Sequence, residues 1–341
     1  MVVAQARFTE FLRSLGEEFE VFAPYRDVDT GHLFLARFDP EKEITLFAYR
    51  PVDPLKMLFY PPRDRVLPAS GPPRKRIVLG VKNCDLAALA LLDRALLPVD
   101  GFPDLNYRLS REATWLIAAD CTEILSTCHC QLVGLKPYPE KGFDLAISKV
   151  ATGYLVRVGS PRGEELAARL AAYASPSPQE DLLWEEVVRE RQRVETALRE
   201  ANREFLPYLF EDEKCHDPEN EGWNARAADC IECGGCSYIC PTCYCTILRD
   251  ETRPEEDFRK IRTWDSCQHT GYARVAGGAN PRPRLWQRFR YRYRCKFTLM
   301  PANFSLSGCT GCGRCIVVCP GKIDLRKVVR TSGGAVKTAG R

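Results

Sequence analysis

The 341-residue sequence predicts an α/β N-terminal domain followed by a mainly helical, cysteine-rich C-terminal domain. Three observations carry this. Short β-rich runs alternate with helical runs over roughly the first 170 residues. A turn-rich stretch, ASPSPQE at 174–180, then leads into a long amphipathic helix. Beyond it, two cysteine runs of identical spacing punctuate the chain.

Residues 1–173 form the α/β domain. Arg76–Val81 is a short strand that meets Asn83-Cys84-Asp85 and then the helical run LAALALLDRALL, with Asp85 as its N-cap. Thr114–Ala119 is a second strand, ending at Asp120-Cys121. FDLAISKV and GYLVRVGS, split by Ala151-Thr152-Gly153, read as a hairpin. Residues 174–209 hold the linker and a helix from about Asp181 to Phe205. Its Leu183, Val187, Val194, Leu198 and Phe205 make one apolar stripe, read as packing between domains. The cysteine-rich domain spans 210–330, and TSGGAVKTAGR at 331–341 reads as a flexible tail.

Composition narrows the function. Hydrophobic residues make up 45% and charged residues 28%, as in a globular protein. A net charge of +4 is too small to argue for nucleic acid or a membrane surface. The apolar run Leu86–Leu92 is far shorter than the roughly 20 residues of a membrane span. Arg7, Glu10 and Arg13 interrupt any signal-peptide core, so a cytoplasmic location is expected. In a reducing compartment 17 cysteines point to metal ligation, whereas a secreted disulfide scaffold would be smaller. No G-x-G-x-x-G motif follows a strand and no Walker A sequence occurs, so no nucleotide site is expected.

The two cysteine runs decide the chemistry. CIECGGCSYICP supplies Cys230, Cys233, Cys236 and Cys240, and CTGCGRCIVVCP supplies Cys309, Cys312, Cys315 and Cys319. Both read C-x2-C-x2-C-x3-C-P, the spacing of two-cluster ferredoxins, in which the fourth cysteine serves the other cluster. Three cysteines at three-residue spacing wrap a tight loop around one cube face, and the fourth lies on the helix that follows. The expected sets are Cys230, Cys233, Cys236 and Cys319 for one [4Fe–4S] cluster, and Cys309, Cys312, Cys315 and Cys240 for the other. Zinc ribbons use paired C-x2-C instead, so a zinc-binding interaction module is the lesser reading. The long insert between the runs disfavours a compact small ferredoxin. The fold class is therefore an α/β N-terminal domain followed by a mainly helical dicluster ferredoxin-like domain.

Cys84 and Cys121 each follow a predicted strand, where open α/β sheets bind ligands, and Cys128-His129-Cys130 lies close behind. These four thiols read either as a third [4Fe–4S] site or as buried free cysteines. Cys243, Cys245, Cys267 and Cys295 remain as a further metal set or as shielding for the clusters, and Cys215 reads as a plain thiol. Arg282–Lys296 interleaves seven cations with four aromatics. Guanidinium groups beside anionic clusters, or docking of an acidic redox partner, explain it better than nucleic acid.

Several stretches carry a family resemblance: GVKNCDLAALALLD, YRLSREATWLIAADC, CHC, CIECGGCSYICPTCYC, TWDSCQ, AGGANPRP, RFRYRYRCKF and CTGCGRCIVVCP. With them the sequence resembles the β subunits of cytoplasmic NiFe hydrogenases of the sulfhydrogenase type, a family that includes the A subunit of anaerobic sulfite reductase. The resemblance covers most of the chain. Cys295 looks more like the hydrogenase branch, where the sulfite reductase members tend to carry His. The resemblance implies a subunit without substrate chemistry of its own, relaying electrons between a flavin subunit that uses NAD(P)H and a NiFe hydrogenase catalytic subunit. The alternative is the same relay in a sulfite or sulfur reductase. It also favours the third cluster on Cys84, Cys121, Cys128 and Cys130.

Overall fold

The computed structural model describes residues 1–175, 180–205, 222–253 and 256–332. Cys215 and nearly all of the tail lie outside them. The strands are β1 (Val2–Val3), β2 (Glu20–Arg26), β3 (Leu33–Arg37), β4 (Arg63–Leu67), β5 (Arg76–Val81), β6 (Thr114–Ala119), β7 (Leu145–Val150), β8 (Gly153–Val158), β9 (Thr246–Arg253) and β10 (Glu256–Trp264). The helices are α1 (Gln5–Leu15), α2 (Asn83–Leu96), α3 (Leu105–Glu112), α4 (Pro161–Leu170), α5 (Glu180–Ala201), α6 (Trp223–Arg226), α7 (Gly235–Tyr238), α8 (Leu285–Arg294), α9 (Met300–Phe304), α10 (Arg314–Val317) and α11 (Leu325–Ser332).

Seven strands make one sheet in the order β1-β8-β7-β6-β5-β2-β3. The central strands β2, β5, β6 and β7 run parallel, and β8 closes the predicted hairpin with Val150 opposite Gly153. Every residue of β5 and β6 is buried, as expected for parallel strands covered on both faces. Ile77, Leu79 and Ile117 pack on one face against Phe8, Phe11 and Leu12 of α1 and Leu166 and Leu170 of α4. Val78, Val81, Leu116 and Ala118 pack on the other against Leu86, Leu89 and Leu92 of α2 and Tyr107 of α3. Because β5 and β6 are parallel, their carboxyl ends deliver Cys84 and Cys121 to the same edge.

The structure departs from expectation in two places. Asp85 does not cap α2: the helix starts at Asn83, and Asp85 lies in its first turn, bound to Arg314 Nη1 at 2.8 Å and Nη2 at 2.9 Å. The cysteine-rich part is not helical throughout. Its insert forms the hairpin β9–β10, and β4, from the N-terminal part, adds to that hairpin as a third strand. The stripe on α5 packs on the sheet and also between the two parts of the chain, where Arg326 and Arg330 of α11 lie over the Phe205 ring. Val187 meets Val2, Val150 and Leu155, while Val194 and Leu198 cover Cys130.

Candidate metal centres

Local chemistry shapes the two cysteine loops before any tertiary contact forms. In CTGCGRC the backbone is left-handed at Gly311 (φ 65°) and Gly313 (φ 71°), a conformation glycine adopts without strain. A Cβ at Gly311 would sit 2.4 Å from the Cys130 backbone, and one at Gly313 would sit 2.4 Å from Thr127 O. The His129 N–H donates to Gly311 O at 2.8 Å. The second ferredoxin-type loop therefore lies backbone to backbone against the Cys128-His129-Cys130 loop. Arg50 Nε reinforces the contact by donating to Cys312 O at 2.9 Å.

That contact closes a hollow at the carboxyl edge of the sheet. Cys84, Cys121, Cys128 and Cys130 all line it, and so does Cys312. The structure thus brings together the four N-terminal cysteines and adds a fifth from the C-terminal run. Two cations enclosed beside them were not anticipated from sequence. Lys82 is 1% exposed and donates to Leu46 O at 2.7 Å and Asp120 O at 2.9 Å. Arg50 is 3% exposed, and its Nη2 has no hydrogen-bond partner. A lysine wedged between the apolar strand RIVLGV and an apolar helix was the one sequence signal available.

A second hollow is lined by Cys230, Cys233, Cys236 and Cys319, with Cys315 beside them. Arg292 and Tyr293 of α8 form part of its wall. The Ile323 N–H donates to Cys319 Sγ at 3.4 Å. Between the two hollows, Cys309, Cys315 and Cys240 lie close enough to shift one another's ionisation, and Cys315 is likewise affected by Cys312. The Gly311 N–H donates to Cys309 Sγ at 3.5 Å. Lys296, 2% exposed, donates to Cys240 Sγ at 3.1 Å, Thr242 Oγ1 at 2.9 Å and Gly308 O at 3.0 Å.

The Arg282–Lys296 stretch resolves into α8 and the turn that follows it. Arg288, Arg292 and Lys296 recur every fourth residue and are buried on one face, whereas Arg284 and Arg294 are exposed. Arg292 Nη2 donates to Cys236 O at 3.3 Å, and Arg288 pairs with Glu232. The buried face therefore points inward at the cysteines, and Arg288 is not available for surface docking.

Electrostatics test the donor set. Burial pushes the Cys121, Cys230 and Cys315 thiols up to about 11 and Cys309 to about 12, and raises Cys84 and Cys130 as well. Such thiols keep their protons at neutral pH. A metal displaces those protons outright, and the resulting anionic group suits the buried Arg50, Lys82, Arg292 and Lys296. The residues present therefore fit thiolate-bound iron–sulfur clusters. Among the described residues no three His, Cys, Asp or Glu side chains are gathered for a single metal ion. No helix among them is long and apolar enough to cross a membrane.

Comparison with known proteins agrees with this chemistry. Residues 229–323 match the family model of the 4Fe-4S dicluster domain. The chain is 31% identical over 335 residues to the Sulfhydrogenase 2 subunit beta of Pyrococcus furiosus, which covers 94% of this chain and 95% of that protein. No solved structure matches it.

Proposed function

Since the chain belongs to the family of the sulfhydrogenase beta subunit and is an iron–sulfur electron-transfer subunit, we propose that it relays electrons between a flavin subunit using NAD(P)H and a NiFe hydrogenase catalytic subunit. It works in the cytoplasm and carries three [4Fe–4S] clusters. Residues 1–173 supply Cys84, Cys121, Cys128 and Cys130 to one of them. Residues 210–330 supply Cys230, Cys233, Cys236 and Cys319 to the second, and Cys309, Cys312, Cys315 and Cys240 to the third. Bound there, the clusters supply one-electron redox chemistry.

The observation that carries this reading is a shared wall. Cys312 lines the N-terminal hollow, and Cys315, three residues on, lines the other. One short loop therefore spans the distance between them, and the three sites form a row with the Cys309 loop in the middle. The protein's part is to hold this row rigid and dry. Arg50, Lys82, Arg292 and Lys296 offset the negative charge of the thiolates, and the Gly311 and Ile323 amides donate hydrogen bonds to sulfur.

Full-length protein prepared anaerobically should contain at least about 12 irons per chain, at four per cubane. Cys128→Ala should lower this by about four and keep the spectroscopic signals of the ferredoxin-type pair. In the assembled complex the same variant should slow electron transfer from NAD(P)H to the hydrogenase. An iron content that Cys128→Ala leaves unchanged would overturn the three-cluster relay.

A further inference from the structure

Cys243, Cys245, Cys267 and Cys295 stand outside the relay just described. Cys243 and Cys245 are two residues apart, Cys267 and Cys295 lie further along the chain, and the fold brings Cys267 back to Cys245. Thr246 pairs with Trp264 at the open end of the β9–β10 hairpin, so the segments leaving it run side by side. There the Asp265 N–H donates to Cys245 O at 3.0 Å, and the thiols of Cys245 and Cys267 come within hydrogen-bond reach. Cys267 Sγ also accepts from Gln268 Nε2 at 3.5 Å, and the Tyr272 hydroxyl hydrogen-bonds to Cys245.

Gln268 ties this corner to α8. Its Nε2 donates to Arg288 O at 2.9 Å, and its carbonyl accepts from Arg288 Nε at 3.1 Å. Where α8 ends, Cys295 opens a π-helical turn, Cys295–Leu299. Single π turns of this kind recur at functional sites because the extra residue re-aims a side chain. Cys295 feels the charge of Cys267, and Tyr244 feels those of Cys295, Cys245 and Cys243 together. Cys243 leans on Cys240, a ferredoxin-type cysteine.

The surroundings call for an anion. Lys56 is 2% exposed, donates to Cys243 O at 2.8 Å and lies 4.0 Å above the Trp264 ring. Lys296 follows Cys295 in the chain. Lys56 thus sits at Cys243, while Lys296 already serves the Cys240 sulfur.

We propose that Cys243, Cys245, Cys267 and Cys295 hold a fourth iron–sulfur cluster of the cubane type. Thiolate-bound iron suits the contact of Cys245 with Cys267, the nearness of Cys295 to Cys267 and the buried Lys56. Through Cys243 and Cys240 the site joins the middle of the row, so the relay gains a branch. The proposal builds on the electron-transfer reading and does not need the N-terminal cluster.

The test uses the full chain, purified anaerobically, with Cys267→Ser and Cys295→Ser made separately. Each should lose about four irons and about four sulfides per chain while the ferredoxin-type signals persist. That loss should add to the loss caused by Cys128→Ala, which reports on the N-terminal site alone. Unchanged iron in both variants overturns the proposal. So does loss of one zinc ion in place of iron, a Cys245–Cys267 disulfide found by mass spectrometry of the anaerobic protein, or loss of all iron in both variants, which a purely structural role would give.

Discussion

Lys296 is the residue at which burial and charge compete most openly. Burial opposes its positive charge, yet the Cys240 and Cys243 thiolates hold its pKa well above the usual lysine value. Its ammonium ends on Cys240 Sγ, so it favours whichever redox state carries more negative charge. Lys296→Met should therefore lower the reduction potential of the cluster served by Cys240. A redox titration followed by electron paramagnetic resonance checks this, and an unchanged or raised potential would contradict it. The sequence made Lys296 visible only as one of seven cations in a row. Its role depends on a cysteine 56 positions away, and no local pattern carries that pairing.

At the scale of elements, β5, β6 and the β7–β8 hairpin were legible because central parallel strands and tight hairpins leave strong apolar runs. The β9–β10 hairpin was not. TILRDETR and EDFRKIRTW are dense in charge, with Ile247, Leu248 and Phe258 exposed and Ile261 buried next to the equally buried Arg262, so no clean apolar alternation marks them as strands. The stripe on α5 was readable, but its destination was not. Val194 and Leu198 lie over Cys130, Cys121 and Cys128 and seal the N-terminal hollow. Leu198→Ala should cost about 2–5 kcal/mol, since it empties a fully buried site. It should also speed bleaching of the N-terminal cluster by oxygen more than that of the ferredoxin-type pair. Equal bleaching of all clusters, followed by absorbance and iron release, would show that α5 is no lid.

Across the whole molecule, the Arg314–Asp85 pair joins helices 229 positions apart. Both side chains are buried, and Arg314 also donates to Pro51 O, Val52 O and Asp53 O. Asp85→Ala leaves a buried guanidinium without its counter-charge and should destabilise the protein by about 3–5 kcal/mol. Adding Arg314→Met should recover much of that loss, because the pair is then replaced by apolar packing. Urea unfolding under anaerobic conditions measures both, and a single variant within about 1 kcal/mol of the parent would show that the joint is not held by this pair. The sequence by itself determined the two C-x2-C-x2-C-x3-C-P loops, because three ligands within seven residues are a local geometry that spacing alone imposes. It also placed Cys84 and Cys121 at strand ends. Only the tertiary structure decided that those ends are neighbours, that Cys312 shares their hollow, and that Lys56, Arg50 and Lys296 face the thiols. The reason is that parallel pairing of β5 with β6, the backbone contact at Gly311 and the burial of charge all join residues distant in the chain, where spacing has no hold.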